Sequence, residues 1–423
     1  MNAPQATTRR VLFASWHWYL DQSNGASITT RETLLALARR GWDVKTFCGA
    51  ATDFFTPPSV DEILTSSGVA VKKRFDGGVG ENAFRAVAYR DSGVDSVVVA
   101  PRSASGDVGV GAVPSRPAGT AFLQLFAETL RRLSPDVVLT YGGYWLGGDM
   151  LKLAKKSGAK TVAWIHNFAY RDAGYFRDVD LTLVPSEFAA DVYRKRLGLD
   201  PVAVPPLIDW RKVRPENAEE DDDARKYVLF VNPSLGKGAP LFARIVEETS
   251  LIRPDIPFLV VDGSAGVKGL ARAGWERTKG LNLFHSPNTA TPSQLYRTAK
   301  IALVPSFFEE SFGRVAAEAL GAGVPVVASN RGALPETVGD AGILLDIPKR
   351  LTPTSQEKPT VADAAPWAET IIALWNDRKR RKALREKGLR RAKRWTEDRV
   401  AERCESALRL TLELDALRPA TTP

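Results

Sequence analysis

The chain has 423 residues, 58 Lys and Arg against 49 Asp and Glu, and a net charge of +9. That length exceeds one ordinary hydrophobic core and points to two domains, while 44% apolar and 25% charged residues exclude a fibrous or disordered chain. No apolar run approaches the roughly 20 residues that span a bilayer, and the positive balance favours anionic partners: phosphates, a membrane surface or nucleic acid.

The opening, "MNAPQATTRRVLFASWHWYLDQSNG", places Arg9 and Arg10 before a short apolar stretch that carries a His and leads to no small-residue cleavage site. It reads as a first β-strand and not as a signal peptide. "ASITTRETLLALARRG" follows as an amphipathic helix ended by Gly41, then "DVKTFCG" as a strand. "DVVLTYGG", "KTVAWIH" and "LTLVPS" read as strands, with "WLGGDMLKLAKKSG" as a helix. Short apolar strands alternating with helices are the signature of a doubly wound parallel sheet. "SWHWYLDQ" and "TYGGYWLGG" put aromatic side chains at strand ends, where a sugar ring could stack; core packing explains them as well.

"AVPPLIDW" and the acidic run "ENAEEDDDARK" then break the pattern, as an exposed linker does. The alternation restarts with "KYVLFVNP", "PFLVVDG", "NLFHS", "IALVPS", "VPVVAS" and "GILLD". Residues 349–366 look like a surface insertion. "DRKRRKALREKGLRRAKRW", 377–395, carries much of the positive charge. It reads as a solvated helical face or as a patch for an anionic membrane surface. Nucleic acid is disfavoured, because no aromatic-rich basic motif or zinc spacing accompanies the charge. "TEDRVAERCESALRLTLELDAL" is helical with no strand after it. The expected organisation is α/β: a Rossmann-like domain over 1–208, a second over 225–395, a cleft between them, and a helix over 396–418 packing back on the first. Cys48 and Cys404 are far apart and in no metal-like spacing, so free thiols and a reducing, cytoplasmic setting are expected.

"PSFFEESFGRVAAEALGAGVPVVASNRGALPE", 305–336, carries the chemistry. Glu310 and Glu318 stand with seven residues between them and no obvious counter-charge. Glu310 lies where a strand ends, the edge at which doubly wound sheets bind ligands. Ser311 can cap the helix that follows, with Phe312, Gly313 and Arg314 in its first turn and backbone N–H groups pointing out of its end, a site for phosphate or sugar hydroxyls. Gly313 lets a ligand approach the backbone. If the helix reached back to Glu310, both glutamates would lie on one face, and a carboxylate suits a ribose 2′,3′-diol. The alternative is a structural pair making caps and a salt bridge to Arg314.

The stretch as a whole resembles the donor-binding signature of the retaining GT-B glycosyltransferases of family 4 (glycosyl transferases group 1). The resemblance implies the GT-B fold, two Rossmann-like doubly wound domains facing a central cleft. It implies that Glu310 contacts donor-sugar hydroxyls, that Glu318 binds the nucleotide ribose, and that the amides of Ser311, Phe312 and Gly313 sit between them. "SNGASITTRETLLALARRGWDV" resembles the family's glycine loop, with Gly25 near the diphosphate. "WIHNF" resembles its strand-end histidine, placing His166 against the transferred sugar; the alternative is a structural His. In "YVLFVNPSLGKGAPLFARI", Lys237 matches the family lysine that meets the diphosphate, while Asn232 and Ser234 occupy the region of an absent family arginine. Arg314 or the helix dipole would then compensate. "FHSPNTATPSQLYRTAKIALVPS" resembles the base-binding loop, with Ser286 and Asn288 at the base edge.

The implied reaction is hexosyl transfer from a UDP-, GDP- or ADP-sugar with retained configuration, catalysed by His166, Lys237 and Glu310. It needs no metal and no other cofactor; no Asp-x-Asp motif stands in a plausible place. The acceptor would be a sugar, lipid-linked, peptide or small molecule, with at most weak peripheral contact at the inner membrane face. The alternatives are a non-catalytic sugar-nucleotide-binding scaffold and a nucleotide-sugar epimerase on the same fold. A phosphorylase is disfavoured by length and by the missing cofactor-lysine signature.

Overall fold

A computed structural model describes residues 8–53, 58–102, 114–142, 145–214, 225–263, 280–289, 291–355 and 357–416. Most of the acidic run and two residues of "TYGGYWLGG" lie outside them. The chain divides into two units. One takes the residues up to Pro185, Ala190–Leu207 and the chain from Glu397 onward; the other takes Ser186–Ala189 and Ile208–Thr396.

The first unit is built on strands β1 Arg10–His17, β2 Asp43–Ala51, β3 Ala70–Gly77, β4 Phe84–Asp91, β5 Val94–Pro101, β6 Val137–Thr140, β7 Lys160–Trp164, β8 Leu181–Val184 and β9 Val202–Ala203. They lie in the order β3-β4-β5-β2-β1-β6-β7-β8-β9. From β5 through β9 the pairing is parallel, and helices such as Gly25–Arg39, Arg116–Leu133 and Trp145–Lys156 cover the faces. Strands buried on both faces need continuous apolar runs, and Val11, Leu12, Phe13 and Ala14 are all fully buried.

An antiparallel extension, β3-β4-β5, departs from the expected parallel sheet. Its β4–β5 connection is Ser92-Gly93, both with positive φ (47° and 97°), the two-residue turn whose twist matches the strands it joins. The outermost strand is exposed along its length and carries Lys72, Lys73 and Arg74, charges that discourage another chain from pairing there. The last helix, Glu397–Ala416, belongs to this unit. Val400, Ala401, Cys404 and Leu408 join Val11, Phe13, Leu34 and Leu37 in one core, and Arg40 donates to Glu405 at 2.8 Å.

The second unit has strands β10 Tyr227–Val231, β11 Phe258–Val261, β12 Leu283–Ser286, β13 Ala299–Val304, β14 Val326–Ser329 and β15 Ile343–Leu345. Their order is β12-β11-β10-β13-β14-β15, all parallel. The chain first steps outward from β10 through β11 to β12, then returns to its other side at β13. The direction therefore reverses between β10 and β13, and ligands bind at the carboxyl ends of such strands. Helix Arg314–Gly321 packs on one face with Trp395. Helices Ala239–Ile252 and Val361–Asn376 pack on the other, around the fully buried Trp367.

Two sequence expectations change here. The 349–366 stretch is not purely a surface insertion: Leu351 is fully buried, and Thr360 and Asp363 form the capping box that starts the Val361–Asn376 helix. The basic stretch forms helix Arg378–Ala392, but its charges are not all solvated. Arg381 is buried and donates to the Leu374 and Trp375 carbonyls, both at 2.6 Å, closing the end of the preceding helix. Arg391 reaches the carbonyl of Thr337 at 2.6 Å. Among the described residues no helix is long and apolar enough to cross a membrane.

Cys48 and Cys404 are unpaired and buried, and burial pushes both thiols up to about 12. A protonated, shielded thiol is a poor nucleophile. The native protein should release no chromophore from a disulfide reagent such as DTNB at pH 8, and two thiol equivalents in guanidinium. Fast reaction of the folded protein would show that these side chains are accessible.

Candidate functional site

The site of the second unit starts where β10 ends. Asn232 turns the chain with φ 62°, a conformation asparagine tolerates, while its N–H still pairs with Val261 at 2.9 Å. A tight turn follows: Lys237 N–H donates to Ser234 at 3.1 Å and Gly238 N–H to Leu235 at 3.0 Å. Gly238 has φ 86°, and a Cβ there would lie 1.8 Å from the Pro305 carbonyl oxygen, so only glycine lets the two loops meet. The Gly236 carbonyl then accepts from Phe307 and Phe308 N–H at 2.8 and 2.9 Å. The loop after β10 is thereby strapped to the loop after β13.

That strap delivers Lys237 to Glu310. The ammonium lies 2.7 and 2.9 Å from the two carboxylate oxygens, and Ser306 Oγ donates to Oε1 at 2.8 Å. Glu310 keeps only 12% of its side chain exposed. Its own carbonyl accepts from Ala333 N–H at 2.7 Å, fixing the backbone from the far side.

Glu318 is held separately. Arg314 Nε donates to Oε1 at 2.7 Å and the Tyr296 hydroxyl to Oε2 at 3.0 Å. Burial, reinforced by the Glu318 charge, raises the Tyr296 phenol well above its usual pKa, so it stays a donor. Oε1 of Glu310 already accepts twice, from Lys237 and Ser306, so Glu310 keeps a further acceptor site only on Oε2, while both oxygens of Glu318 keep one. Both glutamates have a counter-charge, which corrects the first expectation: Arg314 pairs with Glu318, the salt bridge that the alternative reading named, and Lys237 pairs with Glu310. Spacing hid Lys237, which comes from 73 residues away.

The local backbone also differs from expectation. The helix runs Arg314–Gly321 with Gly313 as its N-cap, φ 92°, and no side-chain cap bond. Ser311 is therefore not the cap, Phe312 and Gly313 precede the first turn, and Glu310 shares no helical face with Glu318. A Cβ on Gly313 would lie 2.6 Å from Leu334, so the left-handed turn leaves no room for one. Phe312 is a core residue, buried and edge-on to Trp395 at 5.4 Å. Only its backbone is left to meet a ligand.

Ser286 ends β12 and donates to Pro287 O at 3.2 Å, while Asn288 Oδ1 accepts from Thr289 N–H at 2.9 Å. They stand at the far edge of the sheet, two strands from β10. Beside them His285 Nε2 lies 2.8 Å from Asp262, at the ends of adjacent strands. Asn232 Oδ1 lies against Gly263 and has no hydrogen-bond partner among the described residues. Sequence reasoning missed Ser306, Tyr296 and the Asp262–His285 pair. The Ser306 of "VPSFFEE" was in view; nothing local marks the other three.

In the first unit, Gly25 is the first residue of helix Gly25–Arg39, behind the N-cap Asn24, and nothing lies within 4 Å of where a Cβ would be. His166 follows β7. Its ring is 5.1 Å from Trp164 and edge-on to Tyr141 at 5.5 Å. It retains some exposed surface, yet protein surrounds it, and burial draws its pKa down to about 3. The imidazole is neutral at neutral pH and can both donate and accept. His17, at the end of β1, stacks against Tyr141 and lies 3.7 Å from Asp53, which it holds below the usual carboxylate range. The "SWHWYLDQ" aromatics are core residues: Trp18 donates to the Tyr89 hydroxyl at 2.9 Å and Tyr19 to Asp91 at 3.0 Å, all buried. Ring stacking on a sugar is excluded for them.

Two family models tile the chain: Glycosyltransferase Family 4 over residues 23–211 and Glycosyl transferases group 1 over 216–391. Among curated relatives, the D-inositol 3-phosphate glycosyltransferase of Segniliparus rotundus is 29% identical over 322 residues, 66% of this chain and 68% of that protein. Two solved structures share the fold. Sucrose-phosphate synthase from Thermosynechococcus elongatus has a TM-score of 0.70 at 18% identity, covering 97% of this chain and 100% of its own. Anabaena HepE in complex with UDP-glucose has a TM-score of 0.64 at 14% identity, covering 95% of this chain and 99% of its own. With both halves matched and the reversal point of the second sheet lined by paired carboxylates and cations, the chain is a GT-B glycosyltransferase of the family 4 and group 1 type.

Proposed function

We propose that the protein moves a sugar from a nucleoside-diphosphate sugar to a hydroxyl of its acceptor, with retained anomeric configuration and with neither a resident metal nor an organic cofactor. The observation that carries this reading is the placement of Lys237–Glu310 and Arg314–Glu318 around the Gly313 turn, at the point where the second sheet reverses direction. The diphosphate gathers negative charge as the glycosidic bond breaks. Lys237 and the amides at the start of the Arg314–Gly321 helix are the groups that stabilise it. Asn232 in place of an arginine leaves Lys237 and Arg314 as the cations of the turn. Glu310 takes donor-sugar hydroxyls, Glu318 the ribose diol, and Ser286 and Asn288 the base edge. His166, neutral, hydrogen-bonds the transferred sugar, and Gly25 gives the donor access to backbone. A leaving phosphate oxygen deprotonates the acceptor on the face it departs from. The UDP-glucose held by HepE and the polyol phosphate in the relative's name support a nucleotide donor and a hydroxylated acceptor.

The test is a panel of UDP-, GDP- and ADP-sugars followed by mass spectrometry, with the product anomer read by NMR. Inversion would overturn the retaining assignment, and a free sugar-nucleotide epimer would favour the epimerase alternative. Glu318→Ala removes a charged acceptor worth ~1.5–3 kcal/mol, so nucleoside-diphosphate affinity should fall about ten- to a hundredfold by calorimetry. His166→Ala should lower turnover and leave nucleoside-diphosphate affinity nearly unchanged; parallel losses would make it a structural residue.

The exposed Lys379, Lys382, Arg390, Lys393 and Arg394 supply a weak peripheral contact with anionic membranes, roughly 1 kcal/mol per cation near the surface. Cosedimentation with anionic vesicles should appear at low salt and vanish at high salt. Binding that survives high salt would require an apolar anchor, and none at low salt would leave the helix a solvated face.

A further inference from the structure

While Lys237 and Glu310 serve each other, the ammonium is withheld from a diphosphate and the carboxylate keeps one acceptor site, on Oε2. The ammonium makes two short contacts to one carboxylate, Ser306 adds a third hydrogen bond, and Glu310 is 12% exposed. The strap through Gly236 holds both loops in place and so brings the two side chains together. Resting on the donor reading above, we propose that this ion pair exchanges partners on binding and lets the site distinguish an intact nucleotide sugar from the spent nucleoside diphosphate.

Drawing Lys237 toward a diphosphate takes the counter-charge from a carboxylate that is mostly out of water, and an uncompensated charge there is costly. The phosphates bring more negative charge toward the same spot. An intact donor relieves this, because its sugar hydroxyls donate to Glu310 as the ammonium turns away. The nucleoside diphosphate has no such hydroxyls at that end. It must either leave Lys237 on Glu310 and forgo the cation, or take the cation and strand the carboxylate. Both routes weaken the product relative to the donor, which favours release after transfer. Ser306 holds the carboxylate through the exchange. Its Oγ also lies 3.3 Å from the Gly236 carbonyl, the strap itself.

The prediction is a pair of affinity changes of opposite sign. Calorimetry would use UDP, GDP and ADP, and UDP-glucose, GDP-mannose and ADP-glucose, on the wild type, Glu310→Gln and Glu310→Ala. With the carboxylate gone, Lys237 is free. The diphosphate that binds the wild type should bind both variants about three- to tenfold more tightly, and its sugar derivative about tenfold more weakly. Alanine can neither donate nor accept, so tightening in that variant is not due to a new contact from glutamine. Weaker binding of both ligand classes would mark general damage and overturn the exchange, as would unchanged diphosphate affinity. A wild type that binds none of the six ligands would instead overturn the donor reading, and the exchange with it. Thermal melts of both variants identify any that fails to fold, and the other then decides.

Discussion

Two hydrogen bonds to the Gly236 carbonyl, from the N–H groups of Phe307 and Phe308, organise the second unit's site. They tie the loop after β10 to the loop after β13 across the reversal point of the sheet. Parallel strands alone would bring these loops only within reach. The strap fixes their register, and Gly238 against the Pro305 carbonyl allows a separation that no side chain would permit. Given that contact, Lys237 stands within reach of Glu310, which is pinned through Ala333, and the two meet.

The electrostatics follow from this geometry. Each buried carboxylate is matched by one cation, Lys237 or Arg314. The turn is therefore nearly neutral, although the chain as a whole carries +9. In the proposed donor site a diphosphate would meet no surplus of positive charge at this spot and would compete for cations already in use. On the proposed exchange, specificity would come from what the ligand returns to the displaced carboxylates. The basic helix is different: most of its cations face water, while Arg381 and Arg391 are spent on backbone carbonyls.

Much of the second sheet was legible because its strands are short apolar runs at regular spacing, and a strand buried on both faces admits little else. The paired glutamates were legible as a motif. Of their partners only Arg314, one helical turn from Glu318, was legible: the Lys237–Glu310 contact depends on β10 and β13 becoming neighbours, and the Tyr296–Glu318 contact on how the helices before and after β13 pack. The helix start was misplaced for a local reason: Ser311 is a good cap residue, but the backbone uses Gly313 in a left-handed conformation and needs no side-chain cap. The β3-β4-β5 extension escaped because its outer strand is polar and exposed, so apolar-run counting passes over it. Ser92-Gly93 was the available signal, a two-residue turn between alternating segments. The strand-end aromatics were ambiguous in sequence because burial, not identity, separates a core tryptophan from a stacking platform.

The final helix bears on how the protein is made. Val400, Ala401, Cys404 and Leu408 fill a core that they share with Val11, Phe13 and Leu37, and nearly the whole chain lies between those two sets of residues. On the ribosome, β1 through β9 emerge long before the helix that completes their packing, at ~5–20 residues per second. The first unit must therefore wait with an apolar face unsealed while the second unit is synthesised and able to fold. Its closure is a late, long-range event. A nascent chain stalled anywhere in the second unit would present that open face to chaperones, whatever the state of the catalytic residues.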